Sequence, residues 1–300
     1  KLFGWREIFI IIGMIFVLAI PATMDFFGES STPAKVAGMG LFCLILFPIT
    51  AIATLVVVPD KVTERKEAPG WRDFLGILRS NPLLWRLLTA DFTTSFAISA
   101  TAALYIFVAT YAFDLQDQAS MALLLYFVAG FLAMPAWLKL TYCVGKVGAI
   151  KLAMGYTMVL QSGLFFVTEP GNVGLFWSYT FLAGLAFGAT PTLLHSMMAD
   201  LTDIDELKTE QKRAGMYFAL LGTISKLGGA VAVGLTLTIA DRVFNFTPGT
   251  ENSQAAVNGL LLIFCFAPVT AMALTYLPLH HYPLTKEKHA EIRRSLLVEE

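Results

Sequence analysis

The sequence predicts an all-α polytopic membrane protein of about eight spanning helices, and three observations predict it. Hydrophobic residues make up 56% of the 300 residues and charged ones only 14%, where a soluble domain carries about a quarter charged. Mean hydropathy is +0.67. Apolar runs long enough to cross a bilayer as helix recur along the whole chain,. Water cannot solvate that much apolar surface, so its solvent is lipid.

The spans follow in order. The first lies near 7–24 and carries Gly13; the second, near 38–59, carries Pro48. The third, 84–112, holds Asp91 two turns in, with Thr94, Ser95, Ser99 and Thr101 after it. The fourth, 119–139, contains Pro135, and the fifth covers 149–168. The sixth, 174–198, includes Gly184, Gly188, Pro191 and His195. The seventh, 214–240, contains Lys226 and Gly228, and the eighth, 256–279, contains Pro268. In lipid, neighbouring helices tolerate such internal Gly and Pro.

Basic residues orient the spans. Eighteen of the 21 Lys and Arg fall on one side if the loops alternate. Lys35 and Arg242 fall on the other, and Lys226 lies within a span. Both termini are therefore expected in the cytoplasm and the chain in the plasma (inner) membrane. Asp60 to Asn81 is the longest internal polar stretch and contains Pro69-Gly70. It reads either as a solvated linker or, over 71–79, as a short helix on the membrane surface.

The expected domains are 1–59, two helices of a first bundle; 60–81, a cytoplasmic linker; 82–280, a six-helix bundle; and 281–300, a cytoplasmic tail. A six-span block behind a long cytoplasmic linker has the form of one half of a twelve-helix transporter. Four further helices are then expected before Lys1, the alternative being a complete eight-helix protein.

A net charge of −1 argues against a nucleic-acid partner. Cys43, Cys143 and Cys265 are far apart and read as small hydrophobes. Nucleotide, protease and hydrolase motifs lack a fitting context, and no soluble motor domain is present to drive an ATP pump. The expected class is secondary transport, without enzymic catalysis or cofactor. An intramembrane enzyme or receptor is the remote alternative.

Lys226 is the first candidate residue. An ammonium deep in a span costs about 2.5–3.5 kcal/mol on insertion scales, so it should meet a watery cavity or a carboxylate. Its alternative is an ion pair that fixes helix packing, for which Asp91 is a candidate. Thr223 lies one turn before it. Asp91, Ser95 and Ser99 read as the lining of an aqueous path, or as groups bonded to their own helix and interfacial water. His195 reads as a packing residue or, if the coupling ion is H+, a proton relay. Asp200, Asp203, Asp205 and Glu206, followed by Lys208, Lys212 and Arg213, read as a solvated loop; they lack the alternating ligands of a calcium loop, so no metal is expected.

One stretch carries a family pattern. Ser196-Met197-Met198-Ala199-Asp200 is followed by Thr202-Asp203-Ile204-Asp205-Glu206-Leu207-Lys208-Thr209, Lys212-Arg213-Ala214-Gly215 and Ser225-Lys226-Leu227-Gly228-Gly229-Ala230. This resembles the glycoside-pentoside-hexuronide:cation symporters of the major facilitator superfamily. Asn81-Pro82-Leu83-Leu84 with Ala90-Asp91 looks like the start of that family's seventh helix, and Gly4-Trp5-Arg6-Glu7-Ile8-Phe9 like the start of its fifth. Leu140 to Ile150 would be the loop between its eighth and ninth helices.

The resemblance implies helices five to twelve of a twelve-helix fold and symport of a sugar, glycoside or uronide with Na+ or H+. It places Lys226 near the sugar and cation sites and Arg6 at a sugar-binding position. It makes the loop with Asp200, Asp203, Asp205, Lys212 and Arg213 a cytoplasmic gate. The family's cation site lies mainly on helices two and four, so the expected partners are those N-terminal helices, a small-molecule substrate and membrane lipids. A lipid-like or drug-like amphiphile is the alternative cargo.

Overall fold

The computed structural model describes residues 2–26, 31–58, 76–79, 81–209, 211, 213–280 and 282. In the first two helices, side chains are described from Phe9 on, except at 22, 25, 26 and 32. The tail 283–300, most of the linker and Lys212 lie outside the described residues, as does the side chain of Arg6.

The described residues form helices joined by short turns. These are α1 (Leu2–Phe26), α2 (Thr32–Val57), α3 (Pro82–Phe107), α4 (Ala119–Val167), α5 (Val173–Leu185), α6 (Ala189–Thr209), α7 (Ala214–Arg242) and α8 (Gln254–Leu279). Six helical runs among them are long and apolar enough to cross a membrane, and the described apolar part of α1 adds Phe9–Pro21.

Local chemistry sets the boundaries. Asn81 caps α3: its side-chain oxygen accepts from the N–H groups of Leu83 and Leu84 at 3.2 Å, and Pro82 follows at the first helical position, where its missing N–H costs nothing. Asn172 and Ser253 cap α5 and α8 in the same way. Asn81→Ala should cost about 1 kcal/mol, the usual worth of such a cap, seen as earlier thermal unfolding. The loss should slightly exceed that because the Asn81 amide also donates to the Tyr217 hydroxyl.

Two expected boundaries are corrected. The fourth and fifth spans are one helical run in which only Gly145 departs, at φ 75°, a left-handed value that glycine adopts without steric penalty. The 140–150 connection is thus helix with one break, not a loop, and two passes leave in different directions from it. The sixth span is the converse. It breaks at 186–188, where Gly188 has φ 76°, and resumes as α6. Pro191, four residues after Phe187, has no N–H to return to that carbonyl, so the helix yields there. Gly184 and Gly188 therefore do not share one helix face.

Antiparallel neighbours place two apolar clusters at opposite ends. One joins Leu84–Ala90 of α3 to Ile150, Leu194–Leu201, Tyr217–Leu221 and Leu279. The other joins Leu104–Phe113 to Leu164, Phe176, Ala240, Phe246 and Leu260–Cys265. At this second end Gly171 N–H donates to the Phe113 carbonyl at 2.7 Å and Gly249 N–H to the Tyr111 hydroxyl at 2.6 Å, stitching the turns together. The helical turn 76–79 tucks under the first end: Ile77 is buried, and the Trp85 indole donates to the Leu78 carbonyl. The rest of the 71–79 surface helix lies outside the described residues. α1 rests on α4 and α6, and α2 on α1. Polar groups occupy the level between the clusters.

Candidate functional site

The polar level is built by close approach of α3 and α7. A methyl at Gly228 would stand 2.6 Å from the Phe92 carbonyl oxygen, and one at Gly229 would stand 2.9 Å from Ser99 Oγ. Only glycine lets the two backbones come this near. The contact seats Ser225, Lys226 and Gly229 of α7 opposite Ser95 and Ser99 of α3.

These five residues, with Ile98, Ala230 and Val233, line an open cleft of about 630 Å³. Lys226 is exposed into it. It makes no hydrogen bond or ion pair with another described residue. Its ammonium offers three donors, and the serine hydroxyls opposite both donate and accept, so the cleft suits a ligand rich in hydroxyls or carrying an anionic group.

The expected stripe on α3 separates into three surroundings. Ser95 and Ser99 face the cleft. Thr101 bonds back to the Ala97 carbonyl at 3.1 Å, the self-satisfied arrangement of hydroxyls in membrane helices. Asp91 and Thr94 are buried. Thr223 bonds back to the Ala219 carbonyl at 2.8 Å on an exposed face.

The Asp91–Lys226 pair is corrected. Asp91 accepts a hydrogen bond from Ser225, not a charge from Lys226. Successive helical residues are turned by about 100°, so Ser225 faces Asp91 while Lys226 faces the cleft. In the sequence only the adjacency of Ser225 to Lys226 points to it.

His195 stands behind this pair. Its Nδ1 lies 2.9 Å from the Pro191 carbonyl oxygen and its ring stacks on Phe218. With Nδ1–H donating there, the neutral ring presents Nε2 as an acceptor. His195 is also within electrostatic reach of Asp91.

The acidic cluster is helical, which corrects the loop expectation. α6 continues through Asp200, Asp203, Asp205 and Glu206 to Thr209. Lys146 meets Asp200 at 2.5 Å and donates to the Ser196 carbonyl. Arg213 grips Asp205 with two nitrogens, at 3.0 and 2.8 Å, a bidentate fit that a guanidinium makes well. In the sequence Lys146 is one more basic residue of the charge bias, with nothing to mark it as the partner of Asp200. Both pairs join residues within 82–280.

The family model described as MFS/sugar transport protein matches residues 1–286. An uncharacterized symporter of Synechocystis is 27% identical over 74% of this chain and 44% of its own length. The sodium-dependent lysophosphatidylcholine symporter 1 of Xenopus tropicalis is 22% identical over 89% of this chain and 52% of its own. A putative glycoside/cation symporter of Escherichia coli is 24% identical over 51% of this chain and 33% of its own. The chain thus spans about half the length, or less, of these relatives.

Proposed function

We propose, for a chain that belongs to the MFS/sugar transport protein family, that it carries a sugar, glycoside or uronide across the membrane together with Na+ or H+ by alternating access. The chain is an integral membrane protein of a transporter family, not an enzyme. The observation that carries the proposal is the open cleft that joins Lys226, which pairs with no other described residue, to the hydroxyls of Ser95 and Ser99.

In this reading 82–280 is one rocking bundle, α1 and α2 belong to the other, and 60–81 links them in the cytoplasm, where both termini lie. Polyhydroxyl substrate bonds to Ser95 and Ser99, and Lys226 takes a ring hydroxyl or the uronide carboxylate. Arg6 adds donors from α1. Asp200, Asp203, Asp205, Lys212 and Arg213 gate the cytoplasmic side, Asp200 through Lys146 and Asp205 through Arg213. His195 relays the proton if the coupling ion is H+. Each ligand must favour the state that moves both, because a ligand that binds all states equally shifts nothing. No resident cofactor enters this scheme.

A second reading, an amphiphilic substrate, is favoured by the lysophosphatidylcholine symporter among the relatives and by the apolar wall of Ile98, Ala230 and Val233. Uptake separates the two. Membrane vesicles carrying the protein should accumulate a labelled disaccharide or glucuronide when a Na+ or H+ gradient is imposed, and excess lysophosphatidylcholine should not compete. Accumulation of lysophosphatidylcholine without sugar uptake would replace the first reading by the second.

A further inference from the structure

The polar groups of the cleft are not equivalent as hydrogen-bonding partners. Ser95 and Ser99 bond to no other described residue, so each hydroxyl can donate or accept. The Lys226 ammonium only donates. Ser225, the fourth polar residue of the lining, differs from all three. Hydroxyls of these spans commonly bond back to a carbonyl of their own helix, as Thr223 does to Ala219 and Thr236 to Ala232. Ser225 instead donates across the helix contact, to Asp91.

Asp91 is 2% exposed and stands outside the cleft lining, so it does not meet a ligand there directly. The Ser225 bond is the one side-chain hydrogen bond it accepts among the described residues. A carboxylate offers lone pairs and no proton, so the proton of this bond is Ser225's. With that proton turned inward, the Ser225 oxygen shows the cleft lone pairs alone. The helix contact holds the arrangement in register. A methyl at Gly228, three residues after Ser225, would stand 2.6 Å from the carbonyl oxygen of Phe92, the residue after Asp91, and 3.3 Å from Ser95 Cβ. α7 therefore cannot turn by one residue without collision. Ser225 stays on Asp91, and Lys226 stays on the cleft.

We propose that Asp91 is a positioning residue for the substrate: by taking the Ser225 proton it makes Ser225 an acceptor-only contact beside the donor-only Lys226, and the cleft thereby selects a ligand that presents a hydroxyl donor next to an acceptor or anionic group. The inference rests on the cleft being the substrate site and deepens that reading. One edge of a sugar meets the requirement. A ring hydroxyl gives its proton to Ser225, while a neighbouring hydroxyl oxygen or carboxylate accepts from Lys226. A group without the proton, placed at the first position, sets lone pairs against lone pairs and leaves the Ser225 acceptor unmet, which is how a polar site rejects an analogue lacking one hydroxyl. Ser95 and Ser99, able to take either role, tolerate variation elsewhere on the ring. Asp91 thus sets which way the cleft reads, without touching what it reads.

Uptake kinetics in membrane vesicles test this, with a labelled disaccharide or glucuronide as cargo. Asp91→Asn keeps the shape but offers Ser225 an amide donor, which frees the hydroxyl proton toward the cleft. KM should rise about tenfold, the worth of roughly one hydrogen bond, with a smaller change in maximal rate. Ser225→Ala should raise KM by a similar factor, and Ser225→Thr should restore it. The double variant should be no worse than Ser225→Ala alone, because a residue that acts only through a hydroxyl has no effect once that hydroxyl is gone. If Asp91→Asn fails to fold, monodeoxyfluoro analogues of the sugar decide, since each lacks one donor. At least one should compete about tenfold more weakly than the sugar, and Ser225→Ala should abolish that difference. An unchanged KM in Asp91→Asn or Ser225→Ala, KM effects that multiply in the double variant, equal competition by every analogue, or a loss confined to maximal rate and Tm would overturn the positioning role. Uptake of lysophosphatidylcholine in place of sugar would overturn only the carbohydrate reading; the same variants are then read on that cargo, whose glycerol hydroxyl is the donor, and an unchanged KM there overturns the positioning role. Uptake of neither cargo overturns both.

Discussion

Lys226→Ala is expected to lower transport by at least about a hundredfold, the scale at which loss of one charge-assisted contact plus its orientation is felt, while leaving the folded protein as stable or slightly more so. The two effects have opposite signs for one reason. An ammonium near the bilayer centre costs about 2.5–3.5 kcal/mol on insertion scales, and no carboxylate among the described residues offsets the cost for Lys226. A residue that repaid its expense through folding would be paired, as Lys146 is with Asp200 and Arg213 with Asp205. Lys226 instead opens into a cleft with Ser95 and Ser99, so its return comes when a ligand arrives. Lys226→Arg should recover part of the activity, because it keeps the charge but changes the shape and number of donors. Normal substrate accumulation by the Ala variant would remove Lys226 from the mechanism; a large fall in Tm without loss of uptake would make it a packing residue.

The helical runs long and apolar enough to span were legible because span length is dictated by bilayer thickness and apolar composition reports it directly,. What lay beyond was the rotation of each helix about its axis. In a soluble helix one apolar stripe fixes which face turns inward; these helices are apolar all round, and the pattern is silent. That is why Lys226 rather than Ser225 was expected to meet Asp91: the two differ by one step of the helix, and only the Gly228–Gly229 contact with Phe92 and Ser99 decides between them. The break at Gly188 was hidden for a related reason, since lipid-embedded helices commonly carry Gly and Pro without breaking. The acidic run from Asp200 to Glu206 looked like a loop because charge usually ends a span. α6 instead continues out of the apolar zone, with Lys146 and Arg213 compensating two of its carboxylates.

The same glycine logic gives the largest stability prediction. Gly184 on α5 lies so close to α4 that a methyl there would be 2.2 Å from the Tyr126 carbonyl oxygen and 2.9 Å from its Cα. Both atoms are backbone and neither can rotate away, so Gly184→Ala must push the helices apart. Separation would strip contacts from Gly130, itself pressed against Gly184 and Phe187, and from the Tyr126, Phe127 and Phe187 rings packed tilted and edge-on beside them. Inserting one methyl into a packed core typically costs about 1–3 kcal/mol and occasionally more; a backbone collision at this distance belongs at or above the upper end. Helix association in lipid rests on close packing, since the hydrophobic effect does not drive it there, so the lost contacts are not regained elsewhere. Gly163→Ala and Gly234→Ala are the controls, for a methyl at either meets nothing within 4 Å, and each should leave Tm unchanged or raise it through better helix propensity. If Gly184→Ala unfolds at the same temperature as these two, α4 and α5 do not cross at Tyr126, and the break at Gly188 is not held in place by that crossing.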